Sequence, residues 1–263
     1  MNWPGFFLCS AGLASCCSIA RAGEARDDRV TIEEFLTAEP TYVQRKGEIE
    51  LSAAYDCRRP AGGWRVPLLV EYGITDRIEA EVEAGWLTPG DDSRDAGFGD
   101  VELGLHYALR PEVERVAVTL GVDIGLPTAD AARGPGGGRT EVEVSGIAGV
   151  RLGVVELHAT GALAIEDEVE PRLDLAALVP RGDLRFTLEA NVIRGAGSAT
   201  ESAPGPPLAE GIGGTADEGV WAAVTPGLFH FPRPGVEYGI GVPIGITRAT
   251  PHWGILGRLT IEF

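Results

Sequence analysis

From residue 46 onward, apolar and polar side chains alternate with a period of two, the pattern of strands with one apolar face. The clearest stretch is Ile78-Glu79-Ala80-Glu81-Val82-Glu83-Ala84-Gly85-Trp86, with Ile, Ala, Val, Ala and Trp on one face and the Glu residues and Gly on the other. Residues 101–109 set Val101, Leu103, Leu105, Tyr107 and Leu109 against Glu102, Gly104, His106 and Ala108, and residues 116–124 repeat the arrangement. The same period predicts strands near 48–55, 65–72, 142–152, 155–165, 173–179, 184–192, 220–228, 236–246 and 253–263. These are about twelve strands, mostly of the roughly 9–11 residues that cross a bilayer at a tilt. Only residues 31–36 suggest a helix. The fold class expected is all-β, a transmembrane antiparallel up-and-down β-barrel.

The connections point the same way. Every second one is short, at Thr75-Asp76, Pro111-Glu112, Gly153, 180–183 and 232–235. Those between, at 56–63, 88–97, 127–139 and 195–219, are longer and rich in Gly, Pro and charge, although those around Glu168 and Thr250 are modest. Outer-membrane barrels have short periplasmic turns and longer external loops, whereas a soluble sandwich has no reason to sort its loops by parity. Counting back from Phe263, every second residue is apolar or Gly. A last strand ending on an aromatic residue resembles the assembly signal of bacterial outer-membrane proteins, with Phe263 as the residue that the assembly machinery reads. Phe229, in a mid-chain strand, carries no such signal and is the expected neutral comparison.

The N-terminus reads as an export segment: an apolar, small-residue run over 5–20, then Ala20-Arg21-Ala22 before Gly23, as in an A-x-A cleavage site. This divides the chain into a signal peptide at 1–22, a periplasmic lead at 23–45 and a barrel at 46–263. Leu13-Ala14-Ser15-Cys16 also resembles a lipobox, and the alternative is a chain anchored by lipid through Cys16. Cleavage after Ala22 leaves Cys57 as the sole cysteine, without a partner for an internal disulfide or a Cys-based metal site.

Charge narrows the functional classes. The formal net charge is −17, from 39 acidic against 22 basic residues. Nucleic-acid binding needs a basic face, so no such partner is expected. Enzyme signatures are poor: His106, His158, His230 and His252 fall on different strands without metal-ligand spacing, and there is no G-x-S-x-G elbow. Asp91-Asp92-Ser93-Arg94-Asp95 lacks the EF-hand spacing, and the glycine-rich 134–138 is not followed by the Lys-Ser/Thr of a phosphate loop. No catalytic residue, cofactor or metal is expected, and the chain reads as a non-enzyme. A membrane-embedded hydrolase would need a Ser-His-carboxylate cluster that the sequence does not assemble. Trp86, Tyr107, Trp221, Tyr238 and Trp253 are candidates for interfacial girdles.

Several motifs resemble one family. Residues 46–51 open like the first strand of the outer-membrane barrels labelled "MetA-pathway of phenol degradation" or simply "transporter". Glu71-Tyr72-Gly73-Ile74-Thr75-Asp76-Arg77-Ile78-Glu79 is similar to their second hairpin. Gly97-Phe98-Gly99-Asp100 resembles their G-x-G-D strand, and Gly125-Leu126-Pro127-Thr128 the loop entry that follows. The likeness covers 46–128; His106 departs from it, standing where a Lys or Arg is expected. It implies a Gram-negative outer-membrane barrel, in contact with outer-membrane lipids, for passage of small organic molecules of hydrophobic or aromatic character.

With the apolar faces in lipid, the opposite faces line the lumen. Glu48, Glu50, Glu71, Glu79, Glu81, Glu83 and Glu102 then form one wall, and Arg151, Arg172, Arg185 and Arg258 stand on the opposing strands and the last one, with Asp174, Glu189 and Glu262. That split suggests a transverse field in a passive pore that favours cations. The alternative is a structural or binding barrel whose charges pair across a filled interior, since unpaired buried carboxylates are costly. About eight strands give a filled barrel and 16–18 an open one, so about twelve leaves both readings open.

Overall fold

The structure, a computed structural model, describes residues 34–59, 63–88, 96–110, 116–129, 138–194, 220–248 and 250–263. The expected signal peptide, the alternative anchor at Cys16, and the loop motifs at 91–95 and 134–137 lie outside these residues.

The strands are β1 (Ile49–Arg59), β2 (Trp64–Thr75), β3 (Ile78–Thr88), β4 (Gly97–Arg110), β5 (Val116–Leu126), β6 (Glu141–Leu152) and β7 (Val155–Ile165). They continue with β8 (Val169–Arg181), β9 (Leu184–Arg194), β10 (Val220–Arg233), β11 (Val236–Gly241), β12 (Ile244–Gly245) and β13 (Trp253–Glu262). β11 and β12 are one stave broken at Val242-Pro243, because both pair with β10 on one side and β13 on the other. Proline has no N–H to give to a ladder, which accounts for the interruption. Twelve antiparallel staves result, each beside its sequence neighbour. The sheet closes where β1 meets β13, in register from Glu50 opposite Glu262 to Arg59 opposite Trp253. At one end, the described connections 76–77, 153–154, 182–183 and 234–235 are two-residue turns.

The alternation sends apolar residues outward. Leu105 (52% exposed), Leu188 (54%) and Ile240 (56%) stand on the outer face, while Glu50, Asp174 and Glu189 inside are fully buried. That is the inverse of a water-soluble protein, whose exposed apolar patches are small, and it fits a hydrocarbon surround. Aromatic residues band the outer face at both ends. Tyr55, Trp64, Trp86, Phe98 and Trp253 are exposed towards the long-loop end, and Tyr72, Tyr107, Tyr238 and Phe263 towards the short-turn end. Trp86 and Phe98 meet edge to face at 5.3 Å, and Tyr55 lies 6.3 Å from Trp64. Trp221 is the exception to the expected girdle: it packs against a buried inner cluster.

That cluster joins Phe35, Leu36 and Ala38 to Ala176, Leu178, Phe229 and Leu256. Phe229 is completely buried and therefore no neutral position, since replacing such a ring with Ala costs about 3–5 kcal/mol. The helix suggested over 31–36 is absent from its described part, 34–36. The amides of Leu36, Thr37 and Ala38 instead donate to the Glu189 carboxylate.

Closure is directly testable. Ser52 and Thr260 are register partners whose hydroxyl oxygens lie 2.6 Å apart inside the wall. With the remaining cysteines changed to Ser, Ser52→Cys/Thr260→Cys should oxidise to a disulfide in the folded protein, because cross-strand partners fall within the about 4.4–6.8 Å Cα separation that a disulfide needs. After treatment with a mild oxidant, thiol titre should be lost when the protein is oxidised folded but not when it is oxidised denatured.

Candidate functional site

The inner wall of β2 to β6 is a lattice of acids set by register. One row runs Glu71, Glu81, Gly104, Asp123, Glu143. On one side of it lies Glu79, His106, Gly121, Ser145, and on the other Glu83, Glu102, Gly125, Glu141. Neighbours in a row sit on adjacent strands, about 4.8 Å apart at the backbone. The glycines make room for what lies beside them. A Cβ at Gly104 would meet the Glu81 carboxylate and lie 2.6 Å from Asp123 Oδ1, and one at Gly121 would lie 2.8 Å from the His106 ring. Gly104 and Gly121 are therefore what allow Glu81, Asp123 and His106 to converge.

The convergence is close. His106 Nε2 lies 3.5 Å from Glu81 Oε1 and 3.4 Å from Asp123 Oδ1, and Nδ1 lies 3.6 Å from Glu79 Oε1. These groups border a cavity of about 70 Å³, room for a few water molecules. Glu71, Glu83, Glu102, Glu143 and Arg258 also line it, with Glu34, Glu39 and Tyr42 of the lead.

The arginines are not arrayed as a separate wall. Arg258 belongs to β13, next to β1, and lines the acidic cavity, where it donates to Glu34 Oε2 at 2.5 Å. Arg172 is clasped by Glu39, by Glu143 Oε1 at 2.8 Å and by Asp174 Oδ2 at 2.9 Å. Arg151 meets Glu156 Oε2 at 3.1 Å. Arg185 donates to the carbonyls of Gly182 (2.7 Å) and Leu184 (2.9 Å) and lies over the Phe231 ring. Glu48 precedes β1 and accepts the Arg45 amide at the turn, at 2.9 Å, so it is not a wall residue. The other expected acids, Glu50, Glu71, Glu79, Glu81, Glu83 and Glu102, do lie on the inward face of β1 to β4. Local ion pairs thus replace the expected transverse split.

The lead segment supplies the partners that the sequence pattern does not reveal. Its described part, 34–45, expected on the periplasmic side, lies within the barrel. Glu189 Oε2 accepts from the Thr37 amide (2.6 Å), the Thr37 hydroxyl (2.8 Å) and the Ala38 amide (3.1 Å). Asn191 Nδ2 donates to the Thr37 carbonyl at 2.7 Å. Thr41 meets His158 Nδ1 at 2.8 Å, and its carbonyl accepts from Thr119 Oγ1 at 2.6 Å. Tyr42 donates to Glu156, and the Gln44 amide to Glu79. Gln44 Nε2 reaches Glu50 Oε2 at 2.8 Å. Glu34, Thr37, Glu39 and Asp123, and the convergence of Glu79, Glu81 and Asp123 on His106, are what sequence reasoning missed. The hairpin registers alone could have aligned His106 with Glu79, but nothing in an aperiodic lead signals its partners.

A closed antiparallel barrel, apolar outside and polar within, has the architecture of outer-membrane β-barrel channels. A solved outer membrane channel from Pseudomonas putida F1 superposes on it with a TM-score of 0.63 at 13% identity, over 87% of this chain and 98% of that one. The KdgM porin gives 0.55 at 8% identity (81% and 98%), and the NanC porin 0.52 at 10% (82% and 98%). No family model matches the chain, and no curated protein matches it in sequence.

Glu189 is the principal anchor of the lead. Ala38→Cys should react slowly with a maleimide in otherwise unchanged, folded protein, and at least about tenfold faster once Glu189→Ala removes its hydrogen bonds, each worth about 1.5–3 kcal/mol when made to a charged group. Mass spectrometry of the labelled protein reads both rates.

Proposed function

We propose that the chain is a passive outer-membrane channel for small solutes, kept narrow by its own lead segment. The observation that carries this reading is the ionisable inner wall: a closed barrel that turns its carboxylates inward presents a water-compatible conduit. The shared architecture with channels and porins supports it, and the acidic lattice of Glu50, Glu71, Glu79, Glu81, Glu83 and Glu102 would favour cations over anions. The motifs over 46–128 support membership of the phenol-degradation transporter family, whose resemblance suggests small organic solutes. A second reading, a structural or binding barrel with a filled lumen, is favoured by the many hydrogen bonds between the lead and the wall.

Planar-bilayer conductance separates the two. In the channel reading the full chain conducts weakly, and Glu189→Ala, which frees the lead, raises the conductance severalfold. The cation preference should fall in Glu79→Gln/Glu81→Gln/Glu83→Gln, and also in 1 M salt, where the Debye length shrinks to about 3 Å. Absence of conductance from both the full chain and Glu189→Ala ends the channel reading and leaves the filled barrel.

Phe263 is proposed as the assembly signal. The residue is 62% exposed, and its backbone exchanges hydrogen bonds with Ile49 at 2.9 and 3.3 Å, completing the closing seam. Deleting Phe263 should lower the yield of heat-modifiable, inserted protein in cells, whereas Phe186→Ala, a substitution on the outer face away from the seam, should change it little.

A further inference from the structure

The acidic lattice contains an arrangement that channel lining alone does not explain. Asp123 is 4% exposed, yet its Oδ1 has no hydrogen-bond partner, and neither has His106 Nε2, which faces it. Glu71 is also 4% exposed, lines the same cavity and leaves its Oε2 without a hydrogen bond. Leaving such groups unsatisfied away from water costs about 1–3 kcal/mol each, more when they are charged. A direct imidazole–carboxylate hydrogen bond would close to about 2.7–3.2 Å. Here Nε2 stands off from two carboxylate oxygens at 3.4 and 3.5 Å, as if something belonged between them.

Those separations match the edges of a coordination shell. With metal–nitrogen and metal–oxygen bonds of about 2.0–2.2 Å, tetrahedral geometry places ligand atoms roughly 3.3–3.6 Å apart. We propose that Glu81, His106 and Asp123, with Glu102 as the fourth ligand, form a binding site for a divalent transition-metal ion on the inner wall. Ligand atoms of Glu81, Glu102 and Asp123 lie within 4.8 Å of one another, as do those of Glu79, Glu81 and His106. Glu79 has a separate task. Its carboxylate faces His106 Nδ1, which fixes the ring and leaves Nε2 for the ion, and the Gln44 amide holds that carboxylate in turn. Gly104 and Gly121 keep the space clear, since a side chain at either would strike the ligands.

The donor set selects the class of ion. One imidazole with carboxylates suits Zn²⁺ and its first-row neighbours, whereas Ca²⁺ and Mg²⁺ take all-oxygen shells. A dication also offsets charge in a cavity where carboxylates outnumber the single arginine, Arg258. The site does not depend on conduction.

The test uses the full chain folded in detergent, freed of metal with a chelator and titrated with Zn²⁺ by calorimetry, with Ca²⁺ titrated separately. One Zn²⁺ should bind per chain, with Ca²⁺ at least about tenfold weaker. Asp123→Asn and His106→Gln should each abolish binding or weaken it by at least about 100-fold, and Glu79→Gln, acting through the ring, by about 10–100-fold. Glu168→Gln, on an exposed turn, should bind as the unchanged protein does. Heat-modifiable mobility of each variant verifies the barrel. X-ray absorption of the Zn²⁺-loaded unchanged chain should show one nitrogen among oxygen ligands, a readout that requires no variant. The proposal fails if the unchanged chain takes up no Zn²⁺, if Asp123→Asn and His106→Gln bind it equally well, if Ca²⁺ binds as tightly, or if no nitrogen is found. These readouts stand whether or not the barrel conducts.

Discussion

Everything in this structure follows from one requirement: in hydrocarbon no water is present to receive the hydrogen bonds of a bare sheet edge. An open edge would leave a row of amides and carbonyls unsatisfied at several kcal/mol each, so the sheet must close on itself. The pairing of β1 with β13 meets that demand along nearly the whole length of both strands. Once the cylinder is closed, the two faces of every strand are committed to different solvents. The alternation then has a fixed sense, apolar to lipid and polar inward.

That sense creates the second problem. Twelve staves enclose more space than their own inward side chains fill, and those side chains include many carboxylates. The lead resolves part of it by offering backbone amides, hydroxyls and its own carboxylates to Glu189, His158, Glu79, Arg172 and Arg258. Its apolar residues Phe35 and Leu36 meet an apolar sector of the inner wall, around Leu178 and Phe229. The segment is thus chemically matched to the interior, polar where the wall is charged and apolar where it is not.

The strands are legible in the sequence because a period of two is local: each barrel stave coincides with a predicted segment. Contacts across the lumen were not legible, because they depend on how far each strand is staggered relative to its neighbours and on a segment without periodicity. The charge pattern groups Arg258 with the arginines of the opposing strands, although its own strand adjoins β1. Trp221 and Phe229 have the composition of membrane-facing residues but point inward, towards Phe35 and Leu36. Of the candidate site, the acidic faces of β1 to β4 are visible, whereas the meeting of Glu81, His106 and Asp123 needs the registers of β3 with β4 and of β4 with β5 at once.

The ion pair between Glu34 and Arg258 joins residues 224 positions apart. One belongs to the segment that precedes the first strand, the other to the last strand. The lead therefore cannot complete its contacts until the final stave has arrived. Contacts of such long sequence separation form slowly, so residues 34–45 are among the last to reach their place.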